Sequence, residues 1–345
     1  MVTLKPTAGF FVFFPLFAAA AWSTIGQLIS SGAHKAITLP DDCPFPPKYL
    51  SASQIRHTGI SAIDQAACLG VELTKVALFR DLQPFTVYFL SSLSSVFMVI
   101  NIEGLREDGP STWFPALVTS LSMMSAAGIV VPLAWLFIFA LRRRESMEPL
   151  TRPTAEGLFL SLILGYLLPL AVMISTTDEY AILSWAFSGI FMVIIQRLWA
   201  SIRPPTGQAG FFTTQLGLLT TLLISSFIHL TMMFNYAPKI TGESLLQWLP
   251  SWTTGNPKYL TTEAIVLQFL QWDFLFTFVA SIFAGVFYTD SWPELLLYAM
   301  ATPMVLLALG PGAVVSAMWM WREWKLTMLK QVQTDGLQTN EKKDQ

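Results

Sequence analysis

The chain has 345 residues, of which 53% are hydrophobic and only 12% are charged. Soluble domains carry about 25% charged residues, so this composition excludes an ordinary soluble protein and predicts an integral membrane protein. The net charge is −2 and the basic residues are scattered. No nucleic-acid partner is therefore expected, because binding a polyanion requires a basic face.

About eight segments are long and apolar enough to cross a bilayer, whose hydrocarbon core of about 30 Å needs about 20 apolar residues in a helix. The apolar runs are continuous rather than alternating, and unpaired peptide groups are costly in lipid, so each segment is predicted to be helical. The sequence thus predicts an all-α fold, a polytopic transmembrane helical bundle in the lipid bilayer. The predicted spans are Ala8–Ser30, Phe85–Ile102, Trp113–Leu141, Ala155–Ile174, Ala181–Ala200, Gly210–Phe234, Thr262–Tyr288 and Pro293–Met320.

The first span has an alternative interpretation as a signal peptide, because Lys5 precedes its apolar run and small residues occupy Ala18–Ala21. The run continues through Ile29, which favours a helix. Residues 1–330 are predicted to form a single transmembrane domain that includes a long segment at 31–84. The first half of this segment is rich in Pro and reads as a loop, and the second half has the pattern of an amphipathic interfacial helix. Residues 331–345 are predicted to form a disordered polar tail.

The charges give conflicting signals on orientation. An Arg triplet at 142–144 and Arg203 mark the loops after the third and fifth spans as cytoplasmic. With eight spans the tail would lie on the opposite face, yet Arg322, Lys325 and Lys330 also mark it as cytoplasmic. Either one of these two charge signals is misleading or the predicted number of spans is wrong by one. The Arg triplet is favoured as the correct signal.

Asp273 is the strongest candidate for a functional residue, because a charge within a span costs at least about 2.5–3.5 kcal/mol and usually faces a cavity or a partner. Helical spacing places it on the same face as Phe269, Leu270 and Phe276. A carboxyl that stays neutral among apolar side chains can act as a general acid. The structural alternative is a carboxyl that hydrogen-bonds a neighbouring helix and holds the bundle together.

Four further residues are weaker candidates. Asn101 and Glu103 end the second predicted span, where they either line the mouth of the same cavity or simply end the helix at the water boundary. Trp272 and Phe276 lie deep in the seventh span. If they face inward, their π faces can stabilise a cation, and if they face lipid they are ordinary membrane residues. No metal-ligand spacing and no nucleotide-binding motif occurs in the sequence, so neither a metal nor a cofactor is expected.

The layout resembles the small membrane-integral terpene cyclases of fungal meroterpenoid pathways, the group that includes the ascofuranone, ascochlorin and macrophorin cyclases. The resemblance rests on the chain length, the aromatic-rich spans, the long segment at Ser31–Pro84 and the motif Gln271-Trp272-Asp273-Phe274. It implies a metal-independent isomerase or lyase of secondary metabolism, which protonates an epoxide or alkene on a prenylated small-molecule substrate and closes rings through carbocations.

On this interpretation Asp273 protonates the substrate, and Glu103 or a second acid relays a proton or acts as the final base. Trp272, Phe276 and Asn101 bind the substrate. The expected location is the endoplasmic reticulum membrane, and association with other enzymes of the pathway stays open. The rival hypothesis is a proton- or cation-coupled transporter or channel in which Asp273 binds the ion. A third hypothesis is that the protein is a membrane scaffold. The lack of a visible internal repeat and the scarcity of polar residues within the spans favour the enzyme over the transporter.

Overall fold

The computed structural model describes residues 5–26, 29, 70–79, 81–106, 113–141, 149–203, 210–236 and 262–341. These residues are almost all helical, and none of them forms a β-strand, which confirms the predicted all-α bundle. Six of the described helices are long and apolar enough to cross a membrane, and a bent pair would make a seventh. The chain is therefore compatible with a multi-pass membrane protein, as the composition predicts.

The helices are named here in chain order. They are α1 (Lys5–Ala21, continued by a π-helical turn Trp22–Gly26), α2 (Gln83–Gly104), α3 (Trp113–Met124), α4 (Ala127–Leu141), α5 (Arg152–Thr176, with a π-helical segment Leu162–Leu167), α6 (Glu179–Ala186), α7 (Ser188–Ile202), α8 (Phe211–Tyr236), α9 (Thr262–Phe287), α10 (Trp292–Leu309) and α11 (Pro311–Glu341). Helices α6 and α7 are the bent pair, with an angle of 61° between them.

Helix α2 forms the centre of the bundle, and nearly all of its residues are buried. Small polar side chains on α2 allow α8 to approach closely, as is common between membrane helices. Ser92 Oγ lies 3.1 Å from Ser225 Oγ, and Tyr88 Oη, near the start of α2, lies 2.9 Å from His229 Nδ1, near the end of α8. The two helices therefore run antiparallel.

The two ends of the bundle are identified by these contacts. At one end Glu103, in the last turn of α2, accepts a hydrogen bond from Tyr288 just beyond α9 (3.3 Å) and pairs with Arg322 of α11. This end is called the Glu103 face. At the opposite end Gly310 packs against the ring of His229, and this end is called the Gly310 face.

The predicted span Trp113–Leu141 does not cross the bundle, and that prediction is wrong. It forms a re-entrant hairpin of α3 and α4. Helix α3 begins at the Glu103 face, where Pro115 packs against the last turn of α2. Helix α4 also ends at that face, where the ring of Phe139 lies 5.3 Å from the ring of Tyr288. The tip of the hairpin consequently lies inside the bundle.

Small residues at the hairpin tip explain why the chain can turn there. The turn contains Ser125 and Ala126, and Gly128 lies in the first turn of α4. A Cβ atom at Gly128 would lie 2.8 Å from the carbonyl oxygen of Asp273 in α9, so only glycine allows α4 to approach α9 this closely. Irregular backbone at membrane depth is tolerated only where protein surrounds it. Helix α9 covers the Gly128 side of the tip, whereas Met124 and Ser125 are exposed with respect to the described residues.

The predicted last span, Pro293–Met320, is also wrong, because the structure divides it into α10 and α11 at Gly310. This glycine has a φ of 87°, in the left-handed region that favours glycine. Helix α11 then runs back along α8 in the antiparallel direction. Ser316 Oγ lies 2.9 Å from Thr221 Oγ1, and Gln215 donates to the carbonyl of Met320 at 2.9 Å.

The two corrections cancel in the count of crossings. The α3–α4 hairpin removes one passage between the faces, and α11 adds one. The described helices therefore pass between the two faces eight times if α6 and α7 count as one passage. Helices α5 and α8 begin together at the Glu103 face, where the Gly210 N–H donates to the Leu150 carbonyl at 2.7 Å.

This path removes the conflict between the charge signals. Arg152 and Arg203 both pair with Glu156 near the start of α5, at 2.9 and 3.6 Å, and therefore lie at the Glu103 face. Arg322 and Lys325 lie at the same face, because α11 returns to it. By the positive-inside rule all four residues mark one and the same face as cytoplasmic.

Two segments outside the main spans are partly described. Residues 70–77, in the second half of the predicted loop and amphipathic segment, are helical, and Leu78 and Val71 are buried against the bundle. The rest of that segment lies outside the described residues. Helix α11 continues to Glu341, so residues 331–341 are helical where the sequence predicts disorder. Extending an existing helix adds one hydrogen bond per residue without a new nucleation step.

Candidate functional site

A cavity of about 360 Å³ lies in the half of the bundle nearer the Gly310 face. Residues 70–77 lie across it, the tip of the α3–α4 hairpin closes its inner side, and α2, α6 and α9 form its walls. Its lining is mostly apolar and aromatic. The lining residues are Gly70, Leu73, Thr74, Ala77, Thr86, Phe89, Leu90, Leu93, Ser122, Met123, Met124, Ser125, Ala127, Trp185, Val266, Phe269, Leu270 and Asp273.

Asp273 supplies the one ionisable side chain among the described residues that line this cavity. It lies in the middle of α9 and is 5% exposed. Its Oδ1 accepts a hydrogen bond from the N–H of Gly128, and the N–H of Ala127 also points at the carboxyl. The side chain of Asp273 thus meets the first turn of α4 inside the protein.

This contact explains why α4 can begin at membrane depth. The first four N–H groups of a helix have no partner within the helix, and in a bundle core they have no water either. The Asp273 carboxyl satisfies N–H groups at that end, where the positive end of the helix dipole also favours negative charge. Asp273 therefore has the structural role that the sequence left as an alternative, and it also lines a cavity.

The same contact has a chemical consequence. Amide donors aimed at a carboxyl stabilise the negative charge that develops when the acid gives up its proton. The surrounding side chains of Phe89, Trp185 and Phe269 present aromatic surface to the cavity, and aromatic faces attract cations. The arrangement can therefore donate a proton to an apolar ligand and stabilise positive charge on that ligand.

Glu103, the second predicted catalytic residue, lies in a different place. It is fully buried at the Glu103 face, where its Oε1 pairs with Arg322, accepts from Arg106 Nε at 3.3 Å and accepts from Trp319 Nε1 at 3.1 Å. Arg106 in turn pairs with Glu323. Two carboxylates and two guanidinium groups balance in charge, as a stable buried ion-pair network requires.

The structure does not bring Glu103 and Asp273 together. Tyr288 donates to Glu103, and the helix rise between Asp273 and Tyr288 is about 22 Å. Glu103 does not line the cavity described above. Its geometry is that of a member of a structural network, and it gives no support to the predicted role as proton relay or final base.

The three predicted substrate-binding residues also lie away from the cavity lining. Asn101 donates to the Phe97 carbonyl at 2.8 Å and accepts from Gln196 at 3.2 Å, which ties α2 to α7. The rings of Trp272 and Phe276 stack at 5.7 Å and pack against α1. They occupy the side of α9 that faces α1 rather than the cavity. Helical spacing correctly groups Phe269 and Leu270 with Asp273, but not Phe276.

Several cavity residues escaped sequence reasoning, namely Phe89 on α2, Ser122 on α3 and Trp185 on α6. The run Ser125-Ala126-Ala127-Gly128 inside a predicted span was the one available signal, because small residues and glycine weaken a helix.

In the described ranges no group of three or more His, Cys, Asp or Glu side chains could hold a metal ion. Comparisons of the chain with models of protein families, with curated proteins and with solved structures find no match.

Proposed function

We propose that this protein is an integral membrane terpene cyclase in which Asp273 protonates a prenylated, epoxidised substrate bound in the cavity. One observation carries the proposal: of the described residues that line a cavity inside the bundle, one has a carboxyl, and it lies among apolar and aromatic side chains. The cavity volume of about 360 Å³ is within the range of about 300–1,000 Å³ that is usual for small-molecule sites.

The proposed reaction is a net isomerisation. Asp273 gives its proton to the epoxide oxygen, and the C–O bond breaks at the more substituted carbon. The resulting carbocation accepts the π electrons of a nearby double bond, which forms a ring C–C bond. The last carbocation becomes an alkene by returning a proton to the Asp273 carboxylate, directly or through a water molecule, which restores the acid. The Gly128 amide stabilises the Asp273 carboxylate in the meantime, and the aromatic walls stabilise the cation and exclude water.

The resemblance to fungal meroterpenoid cyclases supplies the wider setting of this proposal. We propose on this basis that the reaction belongs to secondary metabolism and that the protein lies in the endoplasmic reticulum membrane. A carboxyl at the Gly128 amide and a mostly apolar cavity lining support proton-initiated chemistry on a lipid-like molecule, since a carbocation is short-lived wherever water reaches it.

The test compares wild type with Asp273→Asn and Asp273→Glu in microsomes supplied with a prenylated phenol epoxide. Asn keeps a carbonyl oxygen that can accept the Gly128 N–H, so the α4 contact survives while the proton is lost. Cyclised product, measured by mass spectrometry at equal protein level, should fall by about 10²–10⁴-fold in Asp273→Asn. Asp273→Glu should retain partial activity or form altered products. Near-normal turnover by Asp273→Asn would remove Asp273 from the mechanism.

A proton- or cation-coupled transporter is the second candidate, and one observation favours it. In many transporters the ends of broken helices meet ion-binding groups near the bilayer midplane, and the start of α4 meets Asp273 in this way. Proteoliposomes separate the two functions. Proton flux that is abolished by Asp273→Asn, without any cyclised product, would favour the transporter.

A further inference from the structure

One side of α3 carries a stripe of apolar side chains that are exposed with respect to the described residues. They share a sector of about 80° around the helix axis, and each is between 44% and 58% exposed. The four residues are Trp113, Leu117, Leu121 and Met124. Pro115, Thr119 and Ser122, on the opposite side of α3, are buried. In a membrane helix, an exposed apolar stripe that begins at a tryptophan is the side that faces lipid.

This lipid-facing side of α3 ends at membrane depth and at the cavity. The helix has 12 residues and is therefore about 18 Å long, so Met124 at its end lies near the middle of a hydrocarbon core of about 30 Å. Met124 also lines the cavity, as do Met123 and Ser125 beside it. Because Met124 belongs both to the exposed side of α3 and to the cavity lining, it marks a lateral opening of the cavity beside the hairpin tip.

The hairpin tip can border hydrocarbon because its polar groups are paired inside the protein. The N–H and the hydroxyl of Ser125 both donate to the Leu121 carbonyl, at 2.9 and 2.6 Å. The N–H groups of Ala127 and Gly128 meet the Asp273 carboxyl. Unpaired peptide groups are costly in lipid, and these pairings remove that cost without water.

The segment that lies across the cavity is less suited to the passage of an apolar ligand. Leu73 and Ala77 of this segment line the cavity, whereas Glu72 and Lys75 do not. Lys75 Nζ pairs with Glu72 Oε1 at 2.7 Å, and both side chains are partly exposed. The charged side of the segment therefore faces away from the cavity. A ligand that entered across it would have to displace hydrated charges, which is unfavourable for an apolar chain.

We propose that the cavity opens laterally into the bilayer at Met124 and Ser125 and takes up the isoprenoid chain of its ligand from the lipid phase. This inference rests on the proposed function for the identity of the ligand, and it adds the phase from which the ligand arrives. An isoprenoid chain concentrates in the bilayer, because its apolar surface is removed from water there. A lateral opening at mid-membrane meets the ligand where it is concentrated.

Bimane fluorescence on single cysteines tests the opening in proteoliposomes. Cys43 and Cys68 are replaced by Ser, and Met124→Cys or Ser125→Cys then carries the label, so that two independent reporters sample the opening. Leu117→Cys is the matched control, since Leu117 is exposed on the same side of α3 but does not line the cavity. Two quenchers are compared, phosphatidylcholine brominated on its acyl chains and iodide on both sides of the vesicles.

The brominated lipid should quench the labels at Met124 and Ser125 as strongly as the label at Leu117, and iodide should quench none of the three. The ligand probe is farnesylphenol, which dissolves in the bilayer and has no epoxide to react. It should lower lipid quenching at Met124 and Ser125 at least about twofold, because a ligand that fills a pocket excludes other molecules from its lining. Lipid quenching at Leu117 should not change.

The remaining outcomes separate the lateral opening from the cyclase proposal. Quenching at Met124 and Ser125 by iodide, or by neither agent, would overturn the opening. Lipid quenching there that farnesylphenol does not change would also overturn it. The cyclase proposal then stands if wild-type proteoliposomes still cyclise the prenylated phenol epoxide, and both proposals fail if they do not. The expected response to farnesylphenol without any cyclised product would support the opening and remove the cyclase.

Discussion

Replacing Glu103 with Gln separates a structural role from a catalytic one. Glu103 Oε1 faces Arg322, Arg106 and Trp319, and Oε2 accepts from Tyr288. Gln keeps one acceptor oxygen but removes the negative charge. Two buried guanidinium groups would then share one carboxylate, that of Glu323.

The expected cost follows from the burial of this network. Arg106, Glu103 and Glu323 have side chains that are at most 1% exposed, so solvent screens the unbalanced charge very little. Removing one partner of a buried ion pair typically costs about 3–5 kcal/mol. With an unfolding entropy of about 2.1 cal/mol/K per residue, that loss lowers the melting temperature of a 345-residue chain by roughly 4–7 °C.

The assay is the thermal stability of detergent-solubilised protein, followed by gel filtration after heating. Glu263→Gln, an exposed carboxyl in the first turn of α9, serves as the control and should melt like wild type. The double variant Glu103→Gln with Arg322→Met restores the charge balance and should recover part of the loss. Wild-type stability in Glu103→Gln together with lost product formation would refute this reasoning and restore Glu103 as a catalytic residue.

Two further predictions test the cavity and the topology. Phe269→Ala should change the product distribution in the microsome assay, because Phe269 lines the cavity. Phe276→Ala should mainly lower the melting temperature. Altered products from Phe276→Ala, with unchanged products from Phe269→Ala, would place the site on the α1 side of α9. After Cys43 and Cys68 are replaced by Ser, Ser201→Cys in sealed microsomes should react with a membrane-impermeant maleimide, whereas Thr177→Cys should react only after detergent is added. Labelling of Thr177→Cys alone in intact microsomes would invert the orientation.

The topology shows what the sequence could and could not provide at the level of single segments. The run Trp113–Leu141 is apolar throughout, and hydropathy does not distinguish one crossing from two half-crossings that return to the same face. The difference is decided by where Pro115 and Phe139 pack. Pro115 lies against the nearby Gly104, but Phe139 lies against Tyr288, which is distant in the chain. The run Pro293–Met320 fails in the same way, because the effect of Gly310 depends on its backbone conformation.

The candidate site divides along similar lines. Asp273 was predicted from the cost of a charge within a span, and its neighbours Phe269 and Leu270 from helical spacing. Both arguments use properties of one helix. Glu103 and Asn101 were grouped with Asp273 because all three are polar residues in or near spans, but their partners lie on other helices at the Glu103 face. The position of a residue within its own helix does not reveal which ends of different helices lie together in the fold.

Composition and the length of the apolar runs by themselves determined that this is an all-α, multi-pass membrane protein, because lipid leaves the backbone no alternative to helices. They also identified Asp273 as the residue whose burial needs an explanation. Only the tertiary structure decided that the third predicted span is a re-entrant hairpin, that Asp273 meets its first amides, and that Ser122 shares its cavity. These features depend on contacts between helices, and in a uniformly apolar chain such contacts are set by the fit of small residues such as Gly128 rather than by hydropathy.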